Sequence, residues 1–125
     1  IRIPFAVGED RSRTWEISRT ETGLRLKHDH RHMDGSEDVL TQYGGDSDAT
    51  GSIAQQDFPA DAETKALFIR ENIEVSTQNT WSLEVEPGAL FVYQMRRPER
   101  LFRVELDLTE PADTPPPTWG RVPIE

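Results

Sequence analysis

Short segments of alternating apolar and polar residues, separated by tight turns, constrain the fold of this chain most. The clearest is residues 101–108, in which Phe102, Val104 and Leu106 share one face and charged side chains occupy the other. Strict alternation is typical of half-buried antiparallel strands, because successive side chains of a strand point to opposite sides of the sheet. Residues 101–108 are therefore predicted to form a strand with one face on a core.

Similar segments recur along the chain and predict seven or eight strands. They are residues 15–19, 24–32, 39–43, 52–58, 73–77, 81–86, 89–95 and 101–108. Residues 60–71 are predicted to be a helix, since Asp61 and Glu63 fall in its first turn and Arg70 in its last, where each complements the helix dipole. We therefore expect a mainly β fold, a single antiparallel β-barrel or β-sandwich with one short helix.

A length of 125 residues fits one domain. We expect a β-rich domain over residues 1–110, followed by an extended Pro-rich C-terminal tail over residues 111–125 that includes three consecutive prolines. No apolar stretch approaches the roughly 18 residues of a membrane-spanning helix, so no span is expected.

The acidic charge is concentrated in one segment. The formal net charge is −9, and residues 34–64 carry eight acidic side chains with no lysine or arginine. These are Asp34, Glu37, Asp38, Asp46, Asp48, Asp57, Asp61 and Glu63. Such a balance argues against nucleic acid as a partner, because the phosphate backbone is bound mainly by basic side chains.

The absence of cysteine excludes disulfides and thiolate metal sites. Twelve of the fourteen basic residues are arginine, a bias that suggests a bacterial genome rich in G and C. The chain begins at Ile1, so we expect a mature form that has lost a leader, or a trimmed chain. A periplasmic or secreted location is the expectation, with a cytoplasmic one left open.

His28, His30 and His32 are the only histidines of the chain and alternate along one predicted strand. Asp34-Gly35 is a strong signal for a two-residue hairpin turn that returns the chain as residues 39–43. With that turn His28 would oppose Thr41. The three histidines would then share the apolar face of the hairpin and line the interior or its mouth.

This face is predicted to bind a small ligand or a cation. The predicted ligand-lining residues are His28, His30, His32, Thr41 and Tyr43. Alternate residues of a strand lie about 6.7 Å apart and residues four apart about 13 Å, so two neighbouring histidines can share an ion whereas His28 and His32 cannot.

A metal site would therefore need two histidines and a carboxylate. His30, His32 and Glu37 are the candidate ligands for Zn²⁺ or Fe²⁺. The alternative is a structural role, in which the histidines lie at the boundary between the apolar core and the solvated rim of the domain.

A second cation signal lies in residues 46–57. Asp46, Asp48, Thr50 and Asp57 occupy positions 1, 3, 5 and 12 of a calcium-loop pattern. The loop ends in Asp instead of the longer Glu and follows a predicted strand, so a solvated acidic connector is the competing interpretation.

The sequence thus predicts a binding domain with a His-lined ligand or cation site on one hairpin, rather than an enzyme. A metal-dependent or acid–base enzyme acting on a small molecule in the same cavity is one alternative. A structural or interaction module is another, and the oligomeric state is not specified.

Overall fold

Two antiparallel sheets of four strands each form the framework of the described chain, residues 1–48 and 51–121 of the computed structural model. The first sheet consists, in order, of β1 (Arg2–Val7), β2 (Asp10–Arg19), β3 (Leu24–His30) and β4 (Tyr43–Asp46). The second consists of β5 (Gln55–Pro59), β6 (Thr80–Glu86), β7 (Leu90–Arg97) and β8 (Arg100–Asp107). Helix α1 (Ala62–Arg70) and a 3₁₀ helix (Glu74–Gln78) join β5 to β6. The mainly β prediction is confirmed, and the arrangement is a sandwich because the two sheets do not close into a barrel.

The hairpins of the second sheet follow from their turn residues. Pro87 and Gly88 join β6 to β7, and Gly88 has a φ of 76°, a value that favours glycine. Pro98 and Glu99 join β7 to β8, with Glu99 in the left-handed region at a φ of 65°. Both turns place proline where its fixed φ suits the first central position of a tight turn.

Helix α1 lies within the predicted residues 60–71, with Glu63 in its first turn and Arg70 in its last. Asp61 is the N-cap, and its side chain accepts a hydrogen bond of 2.8 Å from the backbone nitrogen of Thr64. Leu67 and Phe68 are the apolar residues that the helix buries in the core. The predicted strand over residues 73–77 is wrong, because this segment begins a 3₁₀ helix that buries no side chain.

The core lies between the sheets. Its fully buried large side chains are those of Trp15, Leu26, His28, Phe58 and Trp81. Sequence analysis missed β1, in which Arg2 is the only charged residue and both faces are otherwise apolar, and the first half of β2, in which polar and charged side chains occupy both faces.

The hairpin after β3 differs from its prediction. The strand ends at His30, and the backbone nitrogen of Gly35 donates to the carbonyl of His32 while that of His32 donates to Ser36. The turn therefore has three residues, with Gly35 in the left-handed region at a φ of 89°. The predicted return strand over residues 39–43 is wrong.

The pairing of β3 with β4 is shifted as well. His28 opposes Tyr43 and not Thr41, so β4 begins where the predicted strand ends. Gln42 stands just before β4 with a φ of 57°. The chain therefore makes a local bend there, and a regular two-stranded ladder does not continue from the turn.

The C-terminal segment returns to the first sheet. Residues 108–121 contain no helix or strand, and residues 108–117 are exposed. Thr118 is buried, and the backbone nitrogen of Trp119 donates to the carbonyl of Arg11 at 2.9 Å. Within the described residues, no helix is long and apolar enough to cross a membrane.

Candidate functional site

A cleft of about 500 Å³ opens between the two sheets, beside the turn that joins β7 to β8. Seven of the side chains that line it are aromatic: Phe5, Trp15, Tyr43, Phe68, Trp81, Tyr93 and Phe102. The cleft is thus walled by strands of both sheets and is concave, partly open and largely apolar, as small-molecule sites usually are.

The aromatic rings form a continuous stack from one sheet to the other. Phe5 of β1 lies on Trp15 of β2 with ring centroids 4.7 Å apart, and Trp15 lies on Tyr93 of β7 at 4.3 Å with only 6° between the ring planes. Phe102 of β8 meets the edge of Tyr93 at 6.3 Å. Offset stacking and edge contacts of this kind are favourable beyond the area that they bury. They hold the wall of the cleft rigid.

Arg13 brings a positive charge to the cleft from β2. It pairs with His30 across the ladder to β3, and both residues line the cleft. Its guanidinium donates to the hydroxyl of Ser12 at 3.2 Å and lies 3.9 Å from the carboxylate of Asp10. Burial raises the pKa of Tyr43, and Arg13 next to the Tyr43 hydroxyl opposes that rise.

Two more arginines line the cleft from the second sheet. Arg97 donates to the side chain of Asn79 at 3.1 Å, a neutral partner that leaves its charge uncompensated. Arg100 follows the β7–β8 turn and is exposed, and no described carboxylate forms an ion pair with it. Asp10 is the acidic side chain that lines the same cleft, so positive charge predominates there.

His28 lies in the core and not in the cleft. It is 0% exposed, its Nδ1 is 2.8 Å from the carbonyl oxygen of Tyr43, and its Nε2 is 2.7 Å from the hydroxyl of Tyr93. A carbonyl can only accept, so Nδ1 carries the proton and the Tyr93 hydroxyl donates to Nε2. Burial lowers the pKa of His28 to about 4, and the imidazole is neutral at pH 7.

His30 is half-buried and lines the cleft. Its Nδ1 donates to the carbonyl of Leu40 at 3.1 Å, and its backbone nitrogen donates to the hydroxyl of Thr41 at 2.9 Å. Burial lowers the pKa of His30 too, so its Nε2 is an acceptor at neutral pH. Tyr43 lines the cleft together with His30. Thr41 does not line the cleft, and its hydroxyl accepts the hydrogen bond from the backbone nitrogen of His30.

The structure does not assemble the predicted zinc or iron site. His32 lies beyond the end of β3, is exposed, and has its Nδ1 3.8 Å from Asp38. Glu37 instead lies 3.8 Å from the guanidinium of Arg31. Among the described residues no group of three or more His, Asp or Glu side chains is placed to hold a metal. His30, His32 and Glu37 thus contact other residues, and metal binding by this set stays a prediction.

The acids of the predicted calcium loop have other partners. Asp46 accepts two hydrogen bonds from Arg25, at 2.7 and 3.1 Å. Asp57 is buried, accepts from the hydroxyl of Ser82 at 2.6 Å and lies 3.5 Å from Arg96. Asp48 lies next to Asp57 in the fold, since its backbone nitrogen donates to the Asp57 carbonyl. Thr50 lies outside the described residues.

A second hollow, of about 520 Å³, lies on the outer face of the first sheet. Each basic side chain that lines it has an acidic partner: Arg2 lies 3.7 Å from Glu16, Arg25 2.7 Å from Asp46 and Lys27 2.7 Å from Asp61. The cleft between the sheets, where Arg97 and Arg100 have no such partner among the described residues, is therefore the stronger candidate.

Sequence reasoning missed the arginines of the cleft. Arg13 lies on the same side of β2 as Trp15, and extending the alternation of residues 15–19 backwards would have placed it inward. No local sequence pattern could have predicted that Arg13 and Arg97 line the same cleft, because they lie in different sheets. Comparison with known proteins adds no assignment: no family model, curated protein or solved structure matches this chain.

Proposed function

We propose that this chain is a binding domain that holds a small ligand with an apolar, ring-containing body and one anionic group. The observation that carries the proposal is the cleft itself, where aromatic rings line one concave space with three arginines and a single carboxylate, that of Asp10. Aromatic walls favour a flat apolar body, and guanidinium groups favour carboxylate or sulfonate oxygens.

The charge of the whole chain strengthens the argument. With a net charge of −9, an anionic ligand would be repelled from most of the surface. Arg13, Arg97 and Arg100 make the cleft a local exception. An arginine side chain stays protonated at any working pH, so this attraction does not depend on the titration of a histidine.

The buried histidine supports binding rather than catalysis. Both ring nitrogens of His28 are engaged by Tyr43 and Tyr93, and the ring is fully buried. A general base must reach the proton that it abstracts, and a ligand in the cleft does not meet this imidazole. His30 can offer its Nε2 to a donor group of the ligand instead.

The test uses two fluorescent probes that differ in charge. 1-Anilinonaphthalene-8-sulfonate carries aromatic rings and one sulfonate, and N-phenyl-1-naphthylamine carries similar rings without charge. We expect both probes to bind saturably and to quench the emission of Trp15 and Trp81, which line the cleft. Retention of the near-ultraviolet circular dichroism spectrum shows that binding is to the folded chain.

The variant that decides is Arg13→Gln. Loss of one charge-assisted contact should weaken sulfonate binding about 10- to 100-fold and leave the uncharged probe nearly unaffected. Arg25→Gln is the matched control, because Arg25 pairs with Asp46 away from the cleft. Equal sulfonate affinities for the two variants, or no saturable binding of either probe, would contradict the proposal.

A further inference from the structure

β8 presents a long open edge to solvent. It pairs with β7 on one side, and no strand of the described residues pairs with it on the other. The backbone nitrogen of Leu108 donates to the carbonyl of Ala89, which fixes the even-numbered residues as those bonded to β7. The odd-numbered residues 101, 103, 105 and 107 therefore direct their backbone N–H and C=O groups to the open edge.

The other three outer strands have protected edges, and in β5 the outward carbonyls of Gln55 and Asp57 accept from the nitrogens of Ser52 and Asp48. In β1 the terminal amine and carbonyl of Ile1 bond to Ile17, so the even-numbered residues point outward, and one of these is Pro4, which has no N–H. The ladder of β1 is also irregular after Phe5. Proline and bulges are devices that keep a strand edge from pairing with another chain.

The edge of β4 is covered by the start of the helix. The carbonyl of Gly44 accepts from the nitrogen of Asp61, and its nitrogen donates to the hydroxyl of Thr64. β8 has no comparable cover within the described residues.

Apolar side chains accompany the open edge. Leu101 is 64% exposed, Phe102 42% and Leu106 37%. A long, regular strand edge flanked by exposed apolar side chains is a template for adding another strand.

We propose that β8 pairs antiparallel with β8 of a second copy of this chain, with Val104 of each copy on the two-fold axis. In this register Arg103 opposes Glu105 of the other copy, twice by symmetry, and Phe102 opposes Leu106. Arg103 and Glu105 are both odd-numbered, so the open backbone groups of one copy meet those of the other. The pairing also covers the apolar side chains that the single chain exposes.

Neighbouring registers are less favourable. Moving the axis to residue 103 sets the two Arg103 side chains against each other, and moving it to residue 105 does the same for Glu105. Like charges directly opposite each other destabilise a ladder, whereas opposite charges stabilise it. Charge complementarity therefore selects both the partner and the register.

Charge-reversal variants distinguish the proposed β8–β8 interface from a dimer that forms through another surface. Sedimentation velocity over a concentration series should show a monomer–dimer equilibrium for the unaltered chain. Arg103→Glu sets Glu against Glu and Glu105→Arg sets Arg against Arg, so each variant alone should dissociate at least about tenfold more readily. A one-to-one mixture of the two variants should regain the dimer, because every close pair in the mixed dimer is then Arg with Glu.

Two controls keep the outcome clear. Within its own chain Arg103 also bonds to Glu84, Gln94 and Glu105, so each reversal removes an internal ion pair as well, and melting curves must show that both variants are folded. Hydrogen exchange should protect the amides of residues 103 and 105 only as concentration rises. The proposal is overturned if the chain is a monomer at all concentrations or if the dimer survives both reversals. It is also overturned if the edge is protected independently of concentration, because another segment of the same chain would then cover β8.

Discussion

At the scale of the residue, His28 shows how a buried polar group is accommodated. Its ring stacks on Tyr43 with centroids 4.3 Å apart, and each ring nitrogen has one partner. An unpaired acceptor in a core costs about 1–3 kcal/mol, so the Tyr93 hydroxyl is needed to complete the site. The neutral imidazole therefore acts as a polar element of the core.

The depressed pKa of His28 predicts a loss of stability in mild acid. The unfolded imidazole takes up a proton below pH 6.5 and the folded one only near pH 4, so the free energy of unfolding falls as the pH drops through this window. The contribution should reach about 3 kcal/mol at the lower end. In urea titrations at about pH 7.5 and about pH 4.5, His28→Gln should lose about 2–3 kcal/mol less than the unaltered chain between the two pH values. His32→Gln, altered at an exposed site, should keep the original slope, and equal slopes for all three proteins would contradict the assignment.

Alternation alone could predict which way the first two histidines point. β3 keeps Leu26 and His28 on its buried face, as the period of two requires. It could not predict that the strand stops at His30. There the hydroxyl of Thr41 replaces a backbone acceptor, an exchange that leaves no trace in a pattern of apolar and polar residues.

At the scale of the element, β4 is the least obvious strand. Its central residues are Gly44 and Gly45, a pair that favours a loop on propensity. Both are buried, and another part of the backbone lies so close to each that a Cβ there would collide with it. A Cβ on Gly45 would collide with the carbonyl of Pro59. Close approach of two chain segments, and not intrinsic preference, makes this segment a strand.

Gly45→Ala should therefore destabilise the fold. A backbone carbonyl cannot move aside as a flexible side chain can, so we expect a loss of about 1–3 kcal/mol or more in urea unfolding. Gly88→Ala is the matched control: its Cβ would meet no atom within 4 Å, and only its positive φ of 76° opposes the change. That cost is about 1 kcal/mol. A Gly45→Ala protein as stable as the Gly88→Ala one would show that β4 does not lie against residue 59.

At the scale of the whole molecule, the C-terminal segment crosses from the second sheet to the first. Arg121 lies 3.0 Å from the carboxylate of Asp29, which also lies 3.1 Å from Arg31. These contacts bury the Asp29 carboxylate on the outer face of β3, the face opposite His28. Proline content indicates an extended segment but not the surface on which it ends.

The candidate site is a property of this same scale. Its rings and arginines come from strands that are far apart in sequence, and only the packing of one sheet on the other brings them together. Local patterns identified most of the strands and the helix. They drew attention to the histidines, whereas the cleft depends on Arg13 and Arg97, which carry no motif.

The contact between the C-terminal segment and β2 can be measured as a coupling energy between Thr14 and Thr118. The hydroxyls of Thr14 and Thr118 are 2.9 Å apart, buried, and 104 residues apart in the chain. Thr118→Val alone leaves the Thr14 hydroxyl buried without its partner and should cost about 1–3 kcal/mol, and Thr14→Val should cost a similar amount. The double variant replaces both hydroxyls by methyl groups, so its loss in urea unfolding should be smaller than the two single losses together. Additive losses, or no loss for Thr118→Val, would mean that the C-terminal segment does not rest on β2 in solution.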